Sequence, residues 1–359
     1  MAARKRAPGS NSQSASFQRW YSGIERALLS GSARFILCSG DVGMSVQVFI
    51  DGEAGTTGLQ IRERLERRAD VALLKIDPER RKDAAVRAEL LNGADIVVLC
   101  LPDDAAKEAV SLISNPKVKV IDASTAHRTA PDWAFGFAEL GADYRASIQK
   151  STRVSNPGCY STAAIALLRP LVQSSILPAD WPVTIHGVSG YSGGGKSMIA
   201  EFEDASAANY TKVPYRIYAT ALGHKHVPEI KAHAGLSGTP LFAPAVGRYA
   251  QGMIVEIPLQ LWAMPKKPSI DAVQNALSAA YDGARFVRVA SAEEAANTKT
   301  LDPEGLNGTN QLNLFVFGDP KAGQARLVAL LDNLGKGASG AAVQNLNIMA
   351  GFDEGEGLR

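Results

Sequence analysis

VQVFIDGEAGTTGLQIRERLERR, residues 46–68, decides the fold. An apolar run, a glycine-rich break and a charged amphipathic stretch follow one another, which is the order strand, tight turn, helix. Gly52, Gly55 and Gly58 are spaced G-x-x-G-x-x-G, a variant of the dinucleotide fingerprint in which glycines let backbone approach a pyrophosphate. Thr56 and Thr57 open the helix whose N-terminus would face the phosphates. A tight turn without a ligand would also use these glycines, so the neighbouring chain has to arbitrate. It continues with VALLKI as strand, AAVRAELLN as helix, DIVVLCLP as strand, DAAKEAVSLI as helix and VKVIDAS as strand. Short apolar runs alternating with amphipathic segments mean parallel strands with crossover helices, an α/β class and a Rossmann-type sheet.

The second strand ends in KIDPERRKD. Asp77 could hold a ribose hydroxyl of NAD, whereas Arg80, Arg81 and Lys82 would suit the 2′-phosphate of NADP, and NADP(H) is the expected cofactor. A solvated charged loop is the competing reading. The 359 residues carry 38 basic and 36 acidic side chains, so nothing at whole-chain level suggests nucleic acid or a membrane surface. No apolar run reaches the roughly 18 residues of a membrane span. Three cysteines without C-x-x-C spacing argue against a disulfide framework and a zinc site, and fit a reducing, cytoplasmic compartment with no metal expected. Residues 1–43 are rich in Ser and Arg, with Glu25 and Asp41 the only acids. That segment reads as a leader, either non-native or an organelle transit peptide, loosely ordered and without chemistry.

VSNPGCYSTAAIALLRPLV, residues 154–172, runs strand, turn, helix, with Cys159 at the helix start. A thiol there lies in the positive field of the helix N-terminus, which favours thiolate, and the same N–H groups could receive an oxyanion. Cys159 is therefore the expected nucleophile, whereas Cys100, inside VVLCL, reads as core packing. A nucleophilic thiol needs a proton acceptor, and His224 and His226 in ALGHKHVPEI point the same way if the chain is extended, with Pro228 arguing against a long helix. His127, His186 and His233 read as structural or surface residues. Arg248, in VGRYAQGM, is a candidate for a substrate anion.

GYSGGGKS, residues 190–197, fits the phosphate-loop pattern G-x-x-x-x-G-K-[ST]. A phosphate-loop NTPase also needs a later strand of the same parallel sheet ending in a magnesium-binding Asp. The chain continues instead into antiparallel-looking runs, TPLFAPAVG and GMIVEIPLQLW.

GEAGTTG, DASTAHR, NPGCY, SGYSGGGK, GHKHVPE and KGASGAAVQN stand in an order that resembles the N-acetyl-gamma-glutamyl-phosphate reductase family in its short, type 2 form, over residues 46–352. The resemblance implies NADP-dependent reductive dephosphorylation of N-acetyl-γ-glutamyl phosphate to N-acetylglutamate 5-semialdehyde, in arginine biosynthesis, through a cysteine thioester. It makes Ser189 to Lys196 an anion-binding loop beside the substrate rather than an ATP site. It assigns Arg128 to the substrate phosphate or carboxylate, Ser124 to the cofactor side, and Asn333, Gly337 and Ala338 to the approach to the nicotinamide. It also implies a discontinuous layout, with residues 44–158 and 335–359 forming the dinucleotide-binding domain. Residues 159–334 then form an α+β substrate and oligomerisation domain of the semialdehyde dehydrogenase type, in a homodimer or homotetramer. Aspartate-semialdehyde or N-acetyl-aminoadipate-semialdehyde dehydrogenase is the alternative within the same chemistry, and a non-catalytic cofactor-sensing protein is the alternative outside it.

Overall fold

The computed structural model describes residues 45–359; the leader 1–43 and Cys38 lie outside them. The first part of the chain runs β1 (Val46–Asp51), α1 (Thr56–Leu65), β2 (Val71–Leu74), α2 (Ala84–Gly93), β3 (Ile96–Leu99), α3 (Asp103–Ser111), β4 (Lys119–Asp122), β5 (Ala134–Phe135), α4 (Ala142–Lys150) and β6 (Arg153–Ser155). All six strands are parallel, in the order β2-β1-β3-β4-β6-β5. Val97, Val98 and Leu99 are fully buried, as expected of a parallel strand covered on both faces. The strand order reverses between β1 and β3, and the crevice outside the carboxyl ends there is where an open α/β sheet binds its ligand.

The second part runs α5 (Cys159–Gln173), β7 (Thr184–Gly190), α6 (Gly195–Glu203), β8 (Tyr215–Ile217), α7 (His226–Ala234), β9 (Leu241–Gly247), β10 (Met253–Gln260), α8 (Ile270–Ala280), β11 (Val287–Val289), α9 (Ala292–Asn297), β12 (Leu312–Asp319) and β13 (Gln324–Leu331). Its seven strands follow the order β11-β12-β13-β10-β7-β9-β8. β10 is antiparallel to both neighbours, as its sequence suggests. β9 is not: it runs parallel to β7, because the long crossover through α6, β8 and α7 returns the chain to the same end of the sheet. α5 packs on one face of this sheet, with Ile165, Leu167, Leu168 and Leu171 fully buried. Each such side chain contributes roughly 1.5–3 kcal/mol relative to exposure.

After β13 a five-residue π-helix, Gly335–Ser339, leads into α10 (Gly340–Ala350). Ala342, Val343 and Leu346 of α10 share a core with Val48, Ile50 and Ile121 of the first sheet, so the end of the chain returns to the dinucleotide-type fold. Among the described residues no helix is long and apolar enough to cross a membrane.

Candidate active site

A cleft of about 660 Å³ opens where the two sheets meet. One wall is the carboxyl ends of β1, β3, β4 and β6, lined by Gly55–Gly58, Cys100–Asp103, Ala123–Thr125 and Asn156–Tyr160. The other is formed by the loops after β7 and β13 and by the segment around His224. Cys159, His224, His226, Arg128, Ser189, Lys196, Ser124, Asn333, Gly337 and Ala338 all line this one space, although the sequence scatters them over more than 200 positions.

Cys159 is the first residue of α5, and the preceding Gly158 offers no side chain to cap the helix. Glycine is required there, because a Cβ would stand 2.4 Å from Arg128 Nη1 and 2.5 Å from His226 Nε2. The cap comes instead from Glu229 on α7. Its carboxylate accepts the Gly158 N–H at 2.9 Å, the Ser161 hydroxyl at 2.7 Å and Arg128 Nη1 at 3.1 Å, and the residue is 1% exposed. An anion at a helix N-terminus is stabilised by the dipole, and this one also neutralises Arg128. Sequence reading missed Glu229. The signal was the spacing His226, Glu229, Ile230, which sets the carboxylate on the same buried face of α7 as the imidazole.

Helix-start position predicts a depressed Cys159 thiol, and the structure overturns that. Burial pushes it up to about 11, with the Tyr160 N–H and the Arg128 charge pulling the other way and Glu229 adding to the rise. Cys100 is pushed higher still, to about 12, by burial and by Asp122 and Asp51. The histidines are displaced in the complementary direction. Burial, then Lys225 and Arg128, lowers His224 to about 4, while burial and the Arg128 charge hold His226 well below 6.5. The site therefore pairs a protonated thiol with two neutral imidazoles.

The histidines do not lie on an extended strand. His224 ends a loop and His226 opens α7, with Pro228 in the first turn, where its missing N–H has no helical partner to lose. Their rings are 4.7 Å apart between centroids. The His226 backbone N–H donates to His224 Nδ1 at 3.2 Å, which leaves neutral His224 with its proton on Nε2. His226 Nδ1 is buried without a partner.

Arg128 is 8% exposed and lines the cleft, donating three of its five N–H groups, to Asn156 O at 3.0 Å, Ala123 O at 3.2 Å and Glu229. It holds the NPGC turn, and its charge is paired with Glu229. Arg248 is not among the residues lining the cleft; it donates to Thr211 O at 2.6 Å and Phe202 O at 3.1 Å, tying down the loop after α6. Ser189 is buried, with its hydroxyl donated to Gly190 O at 3.0 Å. Lys196, in the first turn of α6, is exposed to the cleft. The loop between β7 and α6 thus faces the cysteine, from a strand flanked by antiparallel β10. Asn333 fastens that loop, donating to Ser192 Oγ at 3.1 Å and accepting the Gly252 N–H at 2.7 Å.

The turn after β1 fits a dinucleotide. A Cβ on Gly58 would stand 2.7 Å from Glu53 Cα and from Gly52 O, and Gly52 has φ +90° with its Cβ position 2.4 Å from Cys100 O, so the tight turn demands both glycines. Gly55 caps α1 without a side chain, and Thr56 Oγ1 is buried beside the cleft with no partner. Free N–H groups and an unpartnered hydroxyl at a helix start suit a phosphate. Ser124 donates to Asp122 Oδ2 at 2.8 Å, which shapes the adjacent turn. Asp77 is spent on its own chain, capping the turn Pro78–Arg80, and Arg80 pairs with Asp83 at 3.0 Å. Both lie outside the cleft lining, as does Arg81, which is exposed.

Comparison with known proteins agrees with both halves of this construction. Residues 47–148 match the semialdehyde dehydrogenase NAD-binding domain and residues 159–333 the semialdehyde dehydrogenase dimerisation domain. The chain is 53% identical over 311 residues to N-acetyl-gamma-glutamyl-phosphate reductase 2 of Pseudomonas putida, spanning 86% of this chain and 98% of that one. It is 54% identical over 304 residues to N-acetyl-gamma-glutamyl-phosphate reductase of Burkholderia cenocepacia, spanning 85% and 97%. Among solved structures, aspartate semialdehyde dehydrogenase II of Vibrio cholerae superposes with a TM-score of 0.62 at 15% identity, over 86% of this chain and 98% of that one, which is a likeness of fold. With relatives of this identity along nearly their whole length, and with a cysteine, a histidine pair and a dinucleotide turn facing one cleft, the chain belongs to the N-acetyl-gamma-glutamyl-phosphate reductase family of oxidoreductases, built from the two semialdehyde dehydrogenase domains.

Proposed function

We propose that the protein reduces N-acetyl-γ-glutamyl phosphate to N-acetylglutamate 5-semialdehyde and inorganic phosphate, a step of arginine biosynthesis, through a thioester on Cys159. The observation that carries the reading is the convergence of Cys159, His224, His226 and the Gly55–Gly58 turn on one cleft. Neutral His226 accepts the thiol proton as Cys159 Sγ attacks the γ-carbonyl carbon, and the tetrahedral oxyanion lies at the start of α5, where N–H groups face it. Its collapse breaks the C–O bond to phosphate, which leaves with the proton held by His226, and the thioester remains. Gly55, Thr56, Thr57 and Gly58 would hold a nicotinamide dinucleotide, with Asn333, Gly337 and Ala338 on its nicotinamide side, and bound there it would supply hydride to the thioester carbon. The proton that the carbonyl oxygen takes up in becoming the hydroxyl of a thiohemiacetal comes from solvent through the histidine pair, with the His224 Nε2–H hydrogen-bonded to that oxygen. Breaking the C–S bond returns a proton to sulfur and releases the aldehyde. Lys196 and Ser189 line the side of the cleft where the departing phosphate is received.

NADP is the preferred dinucleotide in this reading. Arg80 is engaged by Asp83, whereas Arg81 and Lys82 have no carboxylate within 4.0 Å among the described residues and are the cations of this run left for a 2′-phosphate. Arg81→Asp should weaken NADP about tenfold more than NAD, and an unchanged preference would remove Arg81 from cofactor choice. The same reading divides the chain into a dinucleotide lobe, 44–158 with 335–359, and a substrate lobe, 159–334. It makes the protein a cytoplasmic homodimer or homotetramer. The deciding assay is reduction of NADP by N-acetylglutamate semialdehyde with and without phosphate, wild type beside Cys159→Ala. Activity that needs phosphate and disappears in the variant is expected; a silent wild type would overturn the proposal.

A further inference from the structure

Lys336 is 2% exposed, an uncommon state for a lysine. Its ammonium donates to Glu139 Oε1 at 2.6 Å and to Gln344 Oε1 at 2.6 Å, and lies 5.3 Å from the centroid of the Phe137 ring and 5.7 Å from that of Phe286. Gln344 in turn donates to Glu139 Oε1 at 2.9 Å. Glu139 follows β5 of the first sheet and Phe286 precedes β11 of the second, so the lysine is gripped from both parts of the molecule. A buried ion pair is seldom more stable than an apolar filling of the same space, so packing alone does not account for it.

The segment that carries the lysine has a different use. Lys336 belongs to the π-helix Gly335–Ser339, and such single π-turns are frequent at functional sites. The next residue, Gly337, backs the cysteine so closely that a Cβ on it would stand 2.7 Å from Cys159 Cβ. Ala338 O accepts from Asn156 Nδ2 at 3.0 Å, which fixes the NPGC turn, and Ser339 Oγ donates to Gln60 Oε1 of α1 at 2.9 Å. Three consecutive residues thus touch the nucleophile, its turn and the dinucleotide helix, and the residue before them is the one that is clamped.

We propose that Lys336 is a positioning residue: held by Glu139 and Gln344, it fixes the π-turn whose Gly337 backs Cys159 and so sets the exposure and direction of the sulfur. The inference rests on the reading of Cys159 as the nucleophile. Its test uses the full chain with Lys336→Met/Glu139→Gln, which removes both charges together, and with Glu139→Gln alone. Three quantities are measured: the melting temperature, kcat against KM in the phosphate-dependent assay, and the pH profile of iodoacetamide labelling of Cys159 with Cys100 as internal reference. The double variant should remain folded and lose at least tenfold in kcat, with KM for NADP and phosphate within twofold of wild type. Cys159 should label several-fold faster at pH 8, with its profile shifted to lower pH, because the loosened turn relieves its burial while Cys100 is unchanged. Wild-type kcat and labelling in a folded double variant would overturn the proposal, and so would failure of both variants to fold, which would make the pair an element of stability only. A wild type inactive toward the semialdehyde would refute the substrate reading, while the labelling profiles would still decide the positioning role.

Discussion

Glu229→Gln separates the two things that the buried carboxylate does. Glutamine keeps the shape, and its carbonyl can still accept the Gly158 N–H, which Glu229 now receives at 2.9 Å. The charge is lost, and with it the counterion that Arg128 holds at 3.1 Å. Breaking a buried pair by removing one partner costs about 3–5 kcal/mol. Arg128 retains two carbonyl acceptors, Asn156 O and Ala123 O, so the low end, about 3 kcal/mol, applies, or a fall of about 5 °C in melting temperature for a chain of this size. The effect on the thiol has the opposite sense. Glu229 is one of the charges holding Cys159 up, and Arg128, freed of its partner, is the charge pulling it down. The variant should therefore label faster with iodoacetamide at pH 8 while turning over at least tenfold more slowly, because Arg128, which holds the NPGC turn, has lost its charged partner on α7. Labelling that slows or stays the same while turnover falls would refute the electrostatic part of the argument, and an unchanged melting temperature would refute the structural part.

The remaining predictions concern the same cleft. With thiols at about 11 and about 12, native Cys159 should label about tenfold faster than Cys100 at pH 8, the ratio of their thiolate fractions; equal rates, read by peptide mass spectrometry, would contradict the placement. Because burial lowers His224 to about 4 and holds His226 well below 6.5, the acid limb of kcat/KM should fall well below the 6.5 of a free imidazole; a limb at 6.5 would mean that a solvent-exposed histidine is the base. The same shifts bear on stability: His224, His226 and His233 have folded-state values below the unfolded 6.5, so the unfolded chain binds more protons below that pH. Stability present above pH 6.5 should be lost as the pH falls toward 4, and a melting temperature higher at pH 5 than at pH 7 would contradict the sign. Gly337→Ala sets a methyl 2.7 Å from Cys159 Cβ, an overpacking worth about 1–3 kcal/mol; turnover should fall by at least tenfold, and a fully active variant would show that Gly337 does not back the sulfur.

Much of the fold was legible because its signals are local. The turn GEAGTTG needs glycine for reasons confined to its own backbone, and Val97–Leu99 are apolar on both faces because helices cover both sides of that strand. The direction of β9 was not legible, since it depends on where a crossover of some fifty residues re-enters the sheet, and nothing within TPLFAPAVG records that. The arginines fail for a related reason. A strand-end arginine reads identically whether it faces a substrate or the carbonyls of Thr211 and Phe202, and Arg248 does the latter. Arg128 was found, yet its partner Glu229 lies 101 positions away, so the pairing that neutralises it was not legible.

The thiol of Cys159 shows most sharply why position on a helix does not settle chemistry. The dipole and N–H groups of a helix start stabilise the thiolate by an amount that is similar wherever such a cysteine occurs. Burial acts against them with a strength set by everything packed round the sulfur, here including Gly337, 178 positions later in the chain. In this protein burial prevails, and the consequence is mechanistic rather than merely numerical. On the proposed reading of Cys159 as the nucleophile, a residue resting as a thiol is protected from adventitious oxidation and reacts when a neutral imidazole takes its proton in the presence of a carbonyl to attack. Lowered histidines and a raised cysteine are then two sides of one arrangement, because burial disfavours the charged form of the sulfur and of the rings alike.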